Sequence, residues 1–263
     1  MGAALCPSPP LLCPLLTGGR AVLPELRAAC AEAVGRLLSE DPEVVVIVGP
    51  AAATGTWNPG GRLDLAAFAP GLPGTGTGAL PLALGLGAML LDQAGYRGPR
   101  RLQAVGQDEP AGACAKLGAE LAGANERSAL LVMGDGSARR TLKAPGYLDP
   151  RAESFDKGVE RAVRDGDLAG LLELDQALAR GLMATGRAAW QVLAGAMPAP
   201  APATEVLYCD DPFGVAYLVA YLRPRSGLGL VIRRIPSRRE VARRGARPRP
   251  SGVPPSARAA WPG

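Results

Sequence analysis

Two short apolar runs constrain the fold of this chain more than any other feature. Residues 44–48 read Val-Val-Val-Ile-Val, and residues 130–133 read Leu-Leu-Val-Met. Unbroken runs of this length are typical of strands that are buried on both faces of a sheet. Because β-branched side chains favour extended backbone, we expect both runs to be central strands with helices covering each face.

The segments around these runs predict parallel crossover connections. Residues 3–6 form another short apolar strand, and in residues 22–38 the apolar side chains recur at helical spacing. A strand, a helix and a strand in this order indicate that the two strands are parallel. The sequence therefore predicts an α/β protein of three layers, α/β/α, with a largely parallel or mixed central sheet.

The remaining elements follow from the same periodicities and from proline and glycine at element ends. We predict helices over residues 82–94 and 111–121, a strand over 101–105, a helix that begins after Asp149-Pro150, a helix that Asp167 caps and that runs through Leu178, a helix over 187–197, a linker over 198–203, and closing strands over 205–209 and 215–221. Together these elements predict a single domain over residues 1–222.

Beyond residue 222 the composition changes abruptly. The last part of the chain holds eleven arginines and one acidic residue, Glu240, among many prolines and glycines. Such a composition favours disorder, so we predict a mostly disordered Arg/Pro-rich tail over residues 223–263. A basic arm of this kind can bind nucleic acid by charge alone, although an extension without a function is the interpretation we favour.

The cysteines and the apolar segments indicate a cytoplasmic protein. The five cysteines are scattered and show no C-x-x-C spacing, so neither a disulfide framework nor a zinc site is predicted. The first 19 residues contain no basic residue and several prolines, which argues against a signal peptide. Residues 80–91 are too few to span a bilayer. We expect no membrane partner, and a homo-oligomer stays open.

A polar loop follows the strand predicted at residues 130–133. Asp135 lies between two glycines at the carboxyl end of this strand, where open α/β sheets bind their ligands. A plain Asp-Gly turn without a function has the same sequence pattern. Ser8 follows another strand and is held by prolines on both sides. The residues that we expect to line a pocket are Ser8, Asp135, Ser137, Arg139, Lys143 and Tyr147.

With these pieces in order, the chain resembles the class III extradiol ring-cleavage dioxygenases of the LigB type, and within them a divergent actinobacterial branch of LigB-like proteins. The resemblance covers most of residues 3–222. The stretches that carry it are residues 6–12, 44–50, 130–139, 155–172, 190–197 and 208–217.

The resemblance implies an iron site that this chain does not reproduce. Active members bind a ferrous ion through two histidines and a carboxylate, and another histidine acts as acid and base. The resemblance places the two ligand histidines at Ser8 and near Pro50-Ala51, the acid/base histidine near Ala138, and the carboxylate near Arg187-Ala188. The chain contains no histidine. It therefore lacks the groups for that iron centre, a Ser-His-Asp triad or a Cys-His pair, and we expect no cofactor.

Two substitutes for the lost chemistry stay open. Asp135, Asp210 and Asp211 offer oxygen ligands that suit magnesium or manganese, although acids after strands more often cap turns. Ser137 and Lys143 offer a nucleophile and a base if burial lowers the pKa of the lysine. We favour a non-catalytic or accessory protein that binds a small aromatic or anionic ligand. The alternative is an enzyme of altered chemistry, oxidoreductase or hydrolase-like.

Overall fold

A mixed sheet of seven strands forms the centre of the fold in a computed structural model. Two further strands form a small separate sheet. In chain order, the strands of both sheets are β1 (Ala3–Cys6), β2 (Val44–Ala51), β3 (Gly55–Trp57), β4 (Arg62–Leu63), β5 (Ala79–Leu80), β6 (Arg100–Gly106), β7 (Ser128–Met133), β8 (Ala203–Asp210) and β9 (Tyr217–Arg223). The seven-stranded sheet has the order β3-β6-β2-β7-β1-β9-β8, and β4 pairs with β5 in a separate sheet. The four strands β6, β2, β7 and β1 are mutually parallel, and the outer strands pair antiparallel.

Helices cover both faces of this sheet. They are α1 (Pro24–Ser39), α2 (Leu82–Gln93), α3 (Ala111–Ala122), α4 (Ala152–Asp165), α5 (Leu168–Leu172), α6 (Gln176–Gly181) and α7 (Arg187–Ala196). One buried apolar cluster joins α1 and α2 to one face, and a second cluster joins α4 and α7 to the other. Side chains alternate between the two clusters along β1, β2 and β7, as expected of strands buried on both sides. The predicted three-layer α/β/α architecture is confirmed.

The structure describes residues 1–224 except 21, 64, 66–67, 69–70, 73–77, 124–126 and 198–199. The described residues belong to one compact unit, Met1–Arg225. No helix among them combines the length and the apolar character needed to cross a bilayer. The tail predicted over residues 223–263 lies almost entirely outside the described residues, as does part of the linker predicted over 198–203.

Close packing of α3 against α7 fixes the position of α7 over the sheet. A Cβ atom on Gly118 would lie 2.1 Å from the carbonyl oxygen of Val192, and one on Gly195 would lie 2.2 Å from that of Ala115. Only glycine allows the two helix backbones to approach so closely. Because α7 also contacts β2 and β7, its first residues are held beside the ends of these strands.

The structure corrects the helix predicted from Asp167 through Leu178. Asp167 does cap a helix, since its side chain accepts a hydrogen bond of 2.9 Å from the backbone N–H of Gly170. That helix, α5, ends at Leu172, and Asp175 caps a separate helix, α6, by accepting a hydrogen bond of 2.6 Å from the N–H of Leu178. A second capping aspartate therefore divides the apolar pattern into two short helices.

The last strand also begins later than the sequence predicts. We predicted a strand over residues 215–221, whereas β9 covers Tyr217–Arg223. The N–H of Ala216 donates to the carbonyl of Ser137, and the N–H of Gly136 donates to the carbonyl of Ala216. Residue 216 is thus held by the loop after β7 instead of by a neighbouring strand.

Candidate functional site

The carboxyl ends of the parallel strands meet at one edge of the sheet, which we call the carboxyl edge. The loop that follows β7, residues 134–149, is the centre of this edge and is named the β7 loop below. Its backbone is tied to two other loops, because the N–H of Ala138 donates to Leu182 and the N–H of Arg140 donates to Gly214, each over 3.0 Å. The β7 loop is therefore held in place along its length.

Ser8 and Asp135 lie side by side at the carboxyl edge. The parallel register pairs Cys6 of β1 with Met133 of β7, and its continuation brings Ser8 beside Asp135. The backbone N–H of Ser8 donates a hydrogen bond of 2.6 Å to Oδ1 of Asp135, and the Ser8 hydroxyl hydrogen-bonds the same carboxyl group. The structure thus brings together two of the six predicted pocket residues.

Tyr217 extends this arrangement across a third strand. The antiparallel register pairs Leu5 of β1 with Ala220 of β9, so Tyr217, the first residue of β9, lies at the carboxyl edge. Tyr217 is only 4% exposed, and within the described part of the chain its hydroxyl has no hydrogen-bond partner. It interacts electrostatically with Asp135. We call Asp135, Ser8 and Tyr217 the polar row.

Burial changes the acidity of both ionisable groups of the polar row. Burial raises the pKa of Asp135 to about 6, although the hydrogen bonds from Ser8 act in the opposite direction. Burial, together with the nearby carboxylate of Asp135, raises the pKa of Tyr217 well above its ordinary value. At neutral pH the row therefore presents a carboxylate that accepts hydrogen bonds and a protonated phenol that is able to donate a hydrogen bond.

A second polar group of the β7 loop is joined by internal hydrogen bonds, although Nη1 of Arg140 is buried without a partner among the described residues. The N–H of Ser137 donates to Oδ1 of Asp156 over 2.8 Å, and its hydroxyl donates to Oδ2 of the same carboxylate. Nε of Arg140 donates to Oδ2 of Asp211 over 2.6 Å and lies 3.8 Å from Asp156. Burial raises the pKa of Asp156, whereas the bonds from Ser137 and the charge of Arg140 lower it. We call Ser137, Arg140, Asp156 and Asp211 the ion-pair network.

The other predicted pocket residues do not join the polar row. Nη1 of Arg139 lies 3.6 Å from Oδ2 of Asp149, a carboxylate that also binds Arg151. Lys143 is exposed. Tyr147 is 62% exposed and adopts a left-handed backbone conformation, with φ of 61°. The positive charge of the loop is therefore either paired with aspartate or in solvent.

Neither substitute for the lost chemistry is formed. Within the described ranges no hydrogen bond joins Ser137 to Lys143, and the serine hydroxyl donates to Asp156 instead. Asp211 binds Arg140, and Asp210 is exposed and accepts a hydrogen bond from the N–H of Asp211. No three acidic or cysteine side chains converge as metal ligands in the part of the chain that the structure describes.

The positions that the resemblance assigns to the iron ligands carry groups that do not fit iron. At the first histidine position Ser8 supplies a hydroxyl. At the second, β2 ends with Pro50 and Ala51, whose side chains cannot bind a metal. Arg187, the first residue of α7, stands where the carboxylate is expected, and it is 2% exposed. Its guanidinium donates a hydrogen bond of 2.5 Å to the carbonyl oxygen of Glu109 and another to the carbonyl oxygen of Gln107. A buried cation repels a metal ion, and no imidazole is present to offset this.

The sequence analysis did not identify Tyr217 as a site residue. Residues 215–221 carry the signal of a strand, and nothing in this local pattern distinguishes Tyr217 from Tyr221. The antiparallel pairing of β9 with β1 selects it, since this pairing places Tyr217, and not Tyr221, at the carboxyl edge. The two strands are more than 200 positions apart in the chain.

Comparisons with known proteins support the fold alone. No family model and no curated protein matches the chain. A solved structure, the crystal structure of an uncharacterized protein, JW3007, from Escherichia coli K12, is similar with a TM-score of 0.56 and 16% sequence identity. The match covers 84% of this chain and 99% of that one.

Proposed function

We propose that this chain is an iron-free relative of the class III extradiol dioxygenases that binds a small uncharged molecule at the carboxyl edge and acts as a non-catalytic or accessory protein in the cytoplasm. The three-layer α/β/α architecture is the fold class that we expect from the resemblance described above. The free cysteines agree with a reducing compartment.

The observation that carries this proposal is the polar row. Asp135 accepts hydrogen bonds from Ser8, and the Tyr217 phenol is a donor that has no hydrogen-bond partner among the described residues. A ligand with a hydroxyl group and a neighbouring oxygen can donate to the first and accept from the second. Such a ligand would give the Tyr217 hydroxyl a hydrogen-bond partner.

The charges at the carboxyl edge favour an uncharged ligand over an anion. The two largely buried cations near this edge already have partners, since Arg140 binds Asp211 and Arg187 binds backbone carbonyls, although Nη1 of Arg140 makes no hydrogen bond among the described residues. The carboxylate of Asp135 would repel an anionic group placed beside it. Of the two ligand classes that the sequence left open, we therefore propose the small aromatic one, with hydroxyl substituents.

A metal analysis tests the iron-free part of the proposal. We expect protein purified from iron-supplemented medium to contain iron far below one equivalent, and we expect catechol to cause no oxygen uptake. Stoichiometric iron together with catechol-dependent oxygen consumption would show that other groups of the chain hold the metal and would reject the proposal.

Calorimetric titration tests the ligand class. We expect catechol to bind the wild-type protein more tightly than benzoate, which carries a carboxylate. Asp135→Asn should weaken catechol binding by about tenfold, because a charge-assisted hydrogen bond is lost. Asp210→Asn is the matched control, since Asp210 is exposed at the end of β8, and it should leave the affinity unchanged. Equal binding of benzoate, or equal losses in both variants, would contradict the proposal.

A second candidate function is an enzyme of altered chemistry. The observation in its favour is the pKa of Asp135, which burial raises to about 6. A carboxyl group that titrates near neutral pH can both take up and release a proton, as a general acid–base catalyst does.

A further inference from the structure

Exposed apolar side chains are concentrated on three loops at the carboxyl edge. The loops are the β7 loop, residues 182–186 between α6 and α7, and residues 211–216 between β8 and β9. Among the described residues, these loops carry five of the eight large apolar side chains that are exposed. The five, which we call the apolar patch, are Leu142 (61% exposed), Tyr147 (62%), Leu148 (45%), Met183 (46%) and Phe213 (50%).

Hydrogen bonds and close packing join these loops into one surface. The N–H of Arg140 in the β7 loop donates to the carbonyl of Gly214, the residue after Phe213, over 3.0 Å. A Cβ atom on Gly146 of the β7 loop would lie 2.6 Å from Sδ of Met183. The apolar patch therefore spans loops that are fixed to one another.

Two residues of the patch have a backbone conformation that L-amino acids rarely adopt. The angle φ is 61° at Tyr147 and 58° at Met183, both in the left-handed region. This conformation costs free energy in residues other than glycine, and asparagine is among those that tolerate it best. The loops thus hold two apolar side chains in solvent at a conformational cost, and such strain is typical of functional surfaces.

We propose that the apolar patch is the contact surface of a homodimer, in which a two-fold axis at the carboxyl edge sets the patch of one copy against that of the other. In a two-fold dimer the same surface of both copies meets, so apolar side chains cover apolar side chains. This inference goes beyond the proposed function and does not depend on a ligand.

The size of the patch suits a weak dimer. With about half of each side chain exposed, the five expose on the order of 500 Å² of surface, and patches of this size on a monomer often mark interaction sites. Two copies would bury roughly 1,000 Å², which is near the lower limit for a specific interface. We therefore expect a dissociation constant of roughly 10 µM.

The charges around the patch favour a second copy over an acidic partner or an anionic membrane. The ion pairs of these loops are Arg139 and Arg151 with Asp149, and Arg140 with Asp211. Lys143 and Asp210 are exposed, and neither forms an ion pair with another described residue. Cations and carboxylates are thus near balance, so two copies do not repel each other, whereas an acidic segment or an anionic bilayer needs an excess of cations.

Sedimentation velocity of the full chain tests the dimer, at protein concentrations from about 1 to about 100 µM. We expect monomer at the lower limit and dimer at the upper, and the dimer should persist at high salt because apolar contacts are not screened. Tyr147→Asn combined with Met183→Asn should raise the dissociation constant more than about 10-fold. Since asparagine tolerates the left-handed conformation, the thermal stability of the dilute monomer should not fall in this double variant.

Trp57→Gln is the matched control. Trp57 is an aromatic residue, 38% exposed, on the edge strand β3, and two strands separate β3 from β7. This variant should dimerise like the wild type, and equal losses in the control and the double variant would contradict the proposal.

Other occupants of the patch give different results. A wild-type chain that stays monomeric at every concentration would overturn the proposal. If that monomer sedimented with vesicles that contain phosphatidylserine, the patch would belong to a membrane surface instead. A dimer that dissociates at high salt would show that charge, and not the apolar patch, holds the copies together, and this too would reject the proposal.

Discussion

The polar row and the ion-pair network differ sharply although they share one loop. Asp135 and Ser137 are two residues apart in the β7 loop, and both lie at the carboxyl edge. Asp135 has only Ser8 as a side-chain partner, and no cation pairs with it in the described ranges. Ser137, by contrast, gives both of its donors to Asp156, beside an Arg140 that is paired with Asp211.

This difference shows how neighbouring polar groups divide between structure and chemistry. In the network each charge faces an opposite charge, so the groups stabilise the loop, and only Nη1 of Arg140 among their described buried side-chain atoms is left without a hydrogen-bond partner. In the row, burial acts on a carboxylate without a compensating cation, which is the condition that shifts a pKa towards neutrality. Perturbed acidity of this kind is typical of functional sites.

The largest effect that we predict concerns the network. Asp156→Ala removes the acceptor of two Ser137 donors and a neighbour of Arg140, and these groups stay buried. We expect the free energy of unfolding to fall by about 3 kcal/mol, as measured by urea denaturation. Among folded molecules, catechol affinity should be unchanged, because the polar row is untouched.

Glu153→Ala is the control for this prediction. Glu153 lies on the same helix, where it forms an exposed ion pair with Lys157. Its removal should change stability by less than about 0.5 kcal/mol. Comparable losses in the two variants would mean that the network contributes no more than a surface pair, and the comparison would then be wrong.

The second prediction reverses the sign of the first. Asp135→Asn should stabilise the protein at pH 7.5 by about 2 kcal/mol, because the folded state disfavours the ionised carboxyl group. Since the pKa of Asp135 is raised to about 6, the folded state binds a proton more tightly than the unfolded state. Its stability contribution is therefore lost as the pH rises towards and through 6, and asparagine avoids this loss.

The pH dependence distinguishes this cause from a packing effect. At pH 4.5 the aspartate of the folded wild type is largely protonated and neutral, as the asparagine of the variant is at any pH. The gain in unfolding free energy from Asp135→Asn should therefore be smaller at this pH, as measured by thermal or urea unfolding. The titratable group that faces Asp135 is Tyr217, and it stays protonated over this range. A gain that is equal at both pH values would indicate that ionisation of Asp135 is not the source.

The sequence predicted one side of the polar row and missed the other. Ser8 and Asp135 could be found because each directly follows an apolar strand, and parallel strands bring such positions to one edge. Tyr217 could not be found in this way, because its place depends on the antiparallel pairing of β9 with β1. That pairing is a property of the assembled sheet and has no local signal in the chain.

The central sheet and most helices were predictable for a similar reason. The unbroken apolar runs at residues 44–48 and 130–133 predict strands buried on both faces, and the fold confirms this in β2 and β7. For the positive charges of the β7 loop, the sequence shows the cations but not their partners. Arg140 is paired with Asp211, which lies more than 70 positions further along the chain.

The smallest predicted effect concerns Lys143, which the sequence assigned to the pocket and the structure leaves exposed. Lys143→Met should change the free energy of unfolding by less than about 0.5 kcal/mol, since an exposed side chain without a partner contributes little. Catechol affinity should also stay the same in calorimetric titration. A tenfold loss of affinity would place the lysine against the ligand, so the pocket would extend over the β7 loop and the row and the network would form a single site.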